Sequence, residues 1–236
     1  MYIKTTPIKA MHIAFLYTLS DNIPLFSPYI QRYLRDRNMT VTHHLNEELL
    51  QHAREDGLTA NVAAEIHQAV TEIADTGADM IVCTCSTIGD LAEQTPAVTA
   101  TVIRVDRPMA RAAVAFPQIH VLAALPDTLE PTMALLRSTA KAAGREPKIS
   151  TAVVPQAWQS YQAGDQRGYA ATIARFIREN CQGLSGALLL AQASMAPAAQ
   201  LVRGRQAGQI LTSPELCLRY LASLPMVSAH KEAAHD

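Results

Sequence analysis

Short apolar runs alternate with amphipathic stretches along this chain, and the two patterns predict strands and helices in turn. The run "HIAFLY" from His12 and the run "MIVC" from Met80 are apolar almost throughout, which is typical of parallel strands covered on both faces. Between them, residues 62–73 repeat aliphatic side chains at spacings of three and four, the period of a helix with one buried face. Strands that alternate with helices in this way predict an α/β fold.

The same pattern occurs twice, since the two halves of the sequence can be aligned at an offset of 107 or 108 residues. Four apolar runs match in order, and their first residues pair His12 with His120, Val41 with Ile149, Ile81 with Leu188, and Val102 with Gln209. Helical patterns fall between the runs in both halves. Each half is therefore predicted to be a β-α-β-α-β-α-β unit, a flavodoxin-like or Rossmann-like parallel sheet with helices on both faces.

This repeat predicts two pseudo-symmetric α/β domains that face each other across a cleft. Residues 1–107 are expected to form the first domain, with the C-terminal segment 214–236 packed on it, and residues 108–213 are expected to form the second. Ligands of open α/β sheets bind beyond the carboxyl ends of the strands. The residues that follow each strand are consequently the candidates for a functional site.

Composition and charge narrow the classes of partner. The chain has 236 residues, 49% of them hydrophobic, and a net charge of -1, so neither nucleic acid nor a membrane surface is an expected partner. No apolar stretch is long enough to span a membrane, and the first residues lack a secretory cleavage pattern. The four cysteines do not have the spacing of a disulfide framework, so we expect reduced thiols and a cytoplasmic protein. Association into a homo-oligomer is left open.

Cys85 is the first candidate for chemistry. In the segment "IVCTCSTIGD", residues 81–90, an apolar strand delivers this cysteine at its end, just before a turn with hydroxyl side chains and a glycine. A thiol there lies near the N-terminus of the next helix, where the helix dipole and free N–H groups favour the thiolate. The alternative is a small buried hydrophobe, which suits the other three cysteines, Cys83, Cys181 and Cys217.

Hydroxyl side chains follow matching strands in both halves and predict a small anionic ligand between them. The repeat pairs Thr87 with Ser194, Ser20 with Thr128, and Cys85 with Gln192. Ser86 and Thr87 can bind a carboxylate together with backbone N–H groups, or they can cap the following helix. Asp106 ends the fourth strand, either as a cleft carboxylate or as a turn residue before a proline. The predicted substrate-binding residues are Ser20, Ser86, Thr87, Asp106, Thr128, Gln192 and Ser194.

The motifs indicate neither a cofactor nor a metal ion. The chain contains no glycine-rich phosphate loop and no G-x-S-x-G nucleophile elbow. His43 and His44 end the second strand and could be combined with Cys83 and Cys85, but this pattern lacks the further paired ligands of a zinc site. The loop "VPQAWQSYQAGD", which carries Trp158, suits a pocket wall or an exposed surface equally.

Four segments resemble motifs of the aspartate/glutamate/hydantoin racemase superfamily, and together they cover nearly the whole chain. "CSTIG" from Cys85 resembles the first cysteine motif of the family, and "RVDRPMA" from Arg104 resembles its acidic segment. "LAALPDT" resembles the threonine loop that opens the second half. "LLLAQASMAP" resembles the second cysteine motif, with Gln192 in the place of the second cysteine. The resemblance implies a small carboxylate substrate and no cofactor.

The racemases of this family use one cysteine to remove the α-proton and a second to protonate the opposite face. Gln192 has no proton to exchange in this way. The resemblance therefore implies a single-cysteine enzyme of isomerase or decarboxylase type, like the maleate isomerases and arylmalonate decarboxylases of the superfamily, and not a two-thiol racemase. A non-catalytic small-carboxylate binding protein and a thiol-nucleophile hydrolase or transferase are the alternatives.

Overall fold

Two four-stranded parallel sheets form the centre of the protein. The structure is a computed structural model that describes residues 10–202 and 208–225. In these ranges the first sheet has the strand order β2-β1-β3-β4 and the second has the order β6-β5-β7-β8. The strands are β1 (Met11–Tyr17), β2 (Met39–Leu45), β3 (Met80–Cys83), β4 (Thr101–Arg104), β5 (Gln118–Ala123), β6 (Lys148–Val153), β7 (Gly186–Leu190) and β8 (Gly208–Thr212).

Helices lie between the strands and cover both faces of each sheet. They are α1 (Asn22–Leu34), α2 (Glu48–Glu55), α3 (Ala60–Asp75), α4 (Gly89–Glu93), α5 (Arg107–Ala113), α6 (Leu129–Ala142), α7 (Ala157–Gln162), α8 (Gln166–Asn180), α9 (Ala196–Leu201) and α10 (Ser213–Ser223). The prediction of an α/β fold with two parallel-sheet halves is confirmed. Across the described ranges, no helix has the length and apolar character needed to cross a membrane.

The internal repeat is visible in the topology. The four pairs of matched apolar runs are all strands, and β1 to β4 occupy the same places in their sheet as β5 to β8 do in theirs. Helix α6 ends at Ala142, and Gly144 follows with a φ of 61°, a conformation that favours glycine after a helix. Helices α2 and α7 are short and were not predicted, since neither carries two full turns of periodic apolar side chains.

The central strands of each sheet are buried on both faces, which explains why they are mainly apolar, whereas the edge strands β2 and β6 carry exposed polar residues. In β1, Ala14 and Leu16 belong to the core beneath α2 and α3, whereas Ile13, Phe15 and Tyr17 belong to the core beneath α1. This alternation is the period-two pattern of a strand with two covered faces. The second sheet is built in the same way, with α6 on one face and α8 on the other.

One helix from each half packs against the sheet of the other half. Helix α5 follows the last strand of the first sheet, yet Met109 and Ala110 are buried in the core of the second sheet. Helix α10 follows the last strand of the second sheet, yet Leu218 and Leu221 are buried in the core of the first. The burial of each such side chain contributes about 1.5–3 kcal/mol, so the exchange holds the two halves together. The domain limits at residues 107 and 213 stay a prediction.

The two ends of the chain and residues 203–207 lie outside the described residues. The predictions for the N-terminal segment before residue 10, and for the part of the C-terminal segment after residue 225, therefore fall outside the structure.

Candidate active site

The turn after β3 brings Cys85 to the edge of the sheet. The backbone N–H and the hydroxyl of Thr84 both donate to the carbonyl oxygen of Leu16, at 2.9 and 3.0 Å. These two hydrogen bonds hold the chain beside β1 for one residue beyond the strand. Helix α4 does not begin until Gly89, so residues 85–88 form an irregular turn at the carboxyl end of the sheet.

One cavity lies where the carboxyl ends of the two sheets meet, and it encloses about 470 Å³ of space open to solvent. Its walls come from both halves of the chain. Six of the eight residues predicted for the site line this cavity, and they are Cys85, Ser86, Thr87, Thr128, Gln192 and Ser194. Cys85 and Gln192 thus border the same space, as the repeat predicts.

The hydroxyls of Ser86 and Thr87 do not cap helix α4. The residue before that helix is Ile88, and no side chain accepts a capping hydrogen bond there. Both residues are half-buried in the cavity wall. Their hydroxyls are therefore available to a ligand, and the interpretation of these residues as helix caps is wrong.

Ser20 and Asp106 are not among the residues that line the cavity. Ser20 is exposed, and its backbone N–H donates to the carboxylate of Glu47 at 3.0 Å. Asp106 is only 1% exposed and forms an ion pair with Arg104. Asp106 lies two residues beyond the end of β4, in the turn that precedes α5, so the strand pattern does not predict its pairing with Arg104.

The ion pair of Arg104 and Asp106 stabilises the turn that carries Cys85. Arg104 donates to both carboxylate oxygens of Asp106, at 2.7 and 2.9 Å, and also to the carbonyl oxygen of Ser86 at 3.1 Å. Burial lowers the pKa of Arg104, but the charge and hydrogen bonds of Asp106, together with the charges of Glu93 and Asp90, outweigh it and raise this pKa above its ordinary value. A Cβ on Gly89 would lie 2.8 Å from the Cβ of Arg104, so glycine allows the helix to approach this strand closely.

An aromatic wall closes the second-half side of the cavity. Trp158 lines it and stacks on Tyr161 with the ring centroids 4.6 Å apart. Tyr161 in turn packs edge-on against Tyr169, whose hydroxyl lies 3.0 Å from the Ser194 hydroxyl. Burial, and then the charge of Asp21, raise the pKa of Tyr161 to about 12. The segment that carries Trp158 forms helix α7 and is a pocket wall.

Several further lining residues were not predicted from the sequence, among them Asn22, Leu50 and Arg54. Asn22 is buried, and its Oδ1 has no hydrogen-bond partner among the described residues. Leu50 and Arg54 come from α2, and the Arg54 guanidinium lies 5.9 Å from the centre of the Trp158 ring. The signal for α2 is the spacing of Leu49, Leu50 and Ala53, which are its buried residues.

The other cysteines do not border the cavity and are buried. Burial raises the pKa of Cys83, of Cys181 and of Cys217 above the ordinary thiol value. The thiol of Cys83 donates to the carbonyl oxygen of Cys85 at 3.6 Å, within the strand end. Among the described residues, Cys85 is therefore the thiol that lines this cavity.

The buried thiols predict a loss of stability in alkaline solution. Burial raises the pKa of Cys83 and Cys217 in the folded protein from an ordinary value of 9.0. Above that pH the unfolded chain has released both protons while the folded protein keeps them, so the free energy of unfolding should fall by about 1.4 kcal/mol per pH unit for each thiol. Cys217→Ala should remove one such contribution from urea unfolding followed between about pH 9 and 10. A slope equal to that of the unmodified protein would contradict this assignment.

Comparison with known proteins gives a match in structure only. No protein-family model matches the sequence, and no curated protein matches it. The fold is similar to that of a glutamate racemase isoform from Bacillus anthracis, with a TM-score of 0.65 and 16% identity over 91% of this chain and 81% of that chain. It is similar to aspartate racemase from Picrophilus torridus, with a TM-score of 0.59 and 13% identity over 92% of this chain and 96% of the other.

The fold is also similar to that of an arylmalonate decarboxylase, with a TM-score of 0.57 and 11% identity over 93% of this chain and 96% of that chain. At these identities the likeness is one of fold, and it extends over nearly the whole chain in each case. The resemblance suggested by the four sequence motifs is therefore confirmed in the architecture. The chain has the α/β fold of these two racemases and of the decarboxylase, with two four-stranded parallel sheets.

Proposed function

We propose that this protein is a cofactor-independent enzyme that acts on a small carboxylate through a single cysteine, Cys85. The observation that carries the proposal is the composition of the cavity wall. Among the described residues that line it, only Cys85 and Arg54 have ionisable side chains. A guanidinium keeps its proton in proteins, so the thiol of Cys85 is the group available for proton transfer or nucleophilic attack.

The rest of the wall suits a carboxylate with an apolar substituent. Hydroxyls line both sides of the cavity, and each can donate a hydrogen bond to a carboxylate oxygen. They belong to Ser86, Thr87, Thr128 and Ser194. The apolar part of the wall, with Leu19, Leu50 and Trp158, can hold the remainder of the substrate. The names of the three enzymes with the same fold refer to glutamate, aspartate and arylmalonate, all of which are carboxylates.

A decarboxylation at this site needs one proton donor. The bond to one carboxylate breaks, carbon dioxide leaves, and the electron pair stays on the substrate as an enediolate held by the hydroxyls. The thiol of Cys85 then protonates the carbon, and the thiolate recovers its proton from water. An isomerisation uses the same group as nucleophile: the sulfur adds to one carbon of a double bond, the new single bond rotates, and the carbon–sulfur bond breaks again.

Both reactions proceed on one face of the substrate. The amide of Gln192, on the other side of the cavity, is not a general acid. A racemisation needs acid–base groups on both faces, and the wall offers none opposite Cys85 within the described residues. A thiol hydrolase normally needs a base beside its nucleophile, and the same part of the wall contains no histidine or carboxylate. The isomerase or decarboxylase chemistry is therefore the better supported.

Alkylation of the cysteines tests whether Cys85 is the reactive thiol of a carboxylate site. Under limiting iodoacetamide we expect Cys85 to be labelled first, because it borders the cavity while burial raises the pKa of the other three thiols. Peptide mass spectrometry measures the order of labelling. A panel of acetate, malonate, succinate, mandelate and benzoate should contain at least one member that slows labelling of Cys85.

The other thiols provide the internal control. A protecting carboxylate should leave the slow labelling of Cys181 unchanged, since Cys181 does not line this cavity. Labelling of Cys181 or Cys217 ahead of Cys85 would count against a catalytic thiol. Protection without turnover of any protecting carboxylate would instead favour the non-catalytic binding protein.

A further inference from the structure

The amide of Gln192 is held in one orientation. Its Oε1 accepts a hydrogen bond from the backbone N–H of Ala124 at 2.8 Å. Ala124 follows β5 and Gln192 follows β7, and these two strands are neighbours in the second sheet. A backbone N–H can only donate, so the side-chain atom that faces it must be the oxygen. The NH₂ group of Gln192 consequently has a fixed direction.

That NH₂ group is buried and has no partner. Nε2 of Gln192 makes no hydrogen bond to any described residue, although the residue lines the cavity. A buried donor without an acceptor destabilises the protein, and no carboxylate side chain lines the described wall to accept from it. An acceptor atom of a bound ligand would remove this destabilisation.

A second hydroxyl on the same side can also donate into the cavity. The hydroxyl of Ser194 lies 3.0 Å from that of Tyr169. Burial raises the pKa of Tyr169, so the phenol keeps its proton and can donate it to the serine oxygen. The Ser194 proton is then free to point into the cavity, beside the amide of Gln192.

We infer that the NH₂ group of Gln192 binds one oxygen of the substrate carboxylate and stabilises the negative charge that grows on that oxygen during the reaction. The inference rests on the proposed function. It adds the group that holds the substrate oxygen, a role that the thiol of Cys85 does not supply. The thiol reacts on the first-half side, while the amide fixes the orientation of the substrate from the second-half side. Gln192 thus binds the substrate and stabilises its charge, whereas its amide cannot act as a general acid.

Gln192→Glu tests the inference by replacing one heavy atom, the amide nitrogen, with an oxygen. The glutamate can still accept from Ala124, but it presents a charged acceptor where the donor was. For the tightest-binding carboxylate of the panel above, isothermal titration at pH 8 should show a dissociation constant raised by about 10- to 100-fold. Towards pH 4.5 a growing fraction of the glutamate is protonated and can donate again, so the defect should shrink. Gln31→Glu, the same change on the exposed face of α1, should bind as the unmodified protein does at both pH values.

A second variant covers the case in which Gln192→Glu does not fold. Gln192→Met removes the donor without adding charge, and it should raise the dissociation constant by about tenfold at both pH values. If either variant binds the carboxylate as tightly as the unmodified protein does, the role of Gln192 is wrong and the proposed function is unaffected. Failure of every panel member to bind the unmodified protein or protect Cys85 would overturn both.

Discussion

Replacement of Cys85 by serine should lower the turnover of any carboxylate substrate by about 10²- to 10⁴-fold, the usual contribution of a positioned acid or base. The hydroxyl of serine is a far weaker acid than a thiol, and the described cavity wall offers no other group to transfer the proton. Turnover can be followed by NMR in D₂O with the carboxylates that protect Cys85 from alkylation. Cys181→Ala, which removes a buried thiol outside the cavity, should retain activity once folding is verified.

The same NMR experiment reports the stereochemistry. Deuterium should enter on one face of the product, because Gln192 stands where a second thiol would be needed. Pure enantiomers of aspartate, glutamate and hydantoins should therefore keep their optical rotation over the time in which substrates turn over. Rapid loss of rotation that Cys85→Ser abolishes would show that another residue acts as the second acid, and the single-face mechanism would be wrong.

Replacement of Asp106 by alanine should lower the free energy of unfolding by about 3–5 kcal/mol, which is typical when one partner of a buried ion pair is removed. Arg104 is 1% exposed and would keep its charge without a counterion at hydrogen-bond distance. Urea unfolding followed by circular dichroism measures the change. Asp36→Ala provides the matched control, since Asp36 is exposed, and it should stay within about 0.5 kcal/mol of the unmodified protein.

The Asp106 experiment also tests the support of the Cys85 turn. Arg104 donates to the carbonyl oxygen of Ser86, so a displaced guanidinium should change the rate at which Cys85 is alkylated in the folded variant. An unfolding free energy within about 1 kcal/mol of the unmodified value would mean that solvent reaches Arg104 more easily than its burial indicates. In that case the ion pair would not be the support of the turn.

The sequence determined the two sheets, because a parallel strand buried on both faces must be apolar along its whole length. The runs at His12, Ile81, His120 and Leu188 show that constraint directly. Because the pattern repeats at an offset of 107 or 108 residues, each strand of one half aligns in sequence with a strand of the other. The carboxyl ends of parallel strands lie at one edge of a sheet. For this reason the sequence also indicated that Cys85, Thr87, Gln192 and Ser194 would meet at one cavity.

Only the tertiary structure decided what depends on contacts between distant segments. The pairing of Asp106 with Arg104 depends on the turn between β4 and α5, and the exposure of Ser20 depends on how the chain enters α1. Trp158 and Arg54 reach the cavity from short helices that carry little periodicity of their own. The exchange of α5 and α10 between the halves arises from side-chain packing. The fixed direction of the Gln192 amide arises from its hydrogen bond with the backbone N–H of Ala124. A hydrophobic pattern states that a side chain is buried, but it does not state which partner the side chain is buried against.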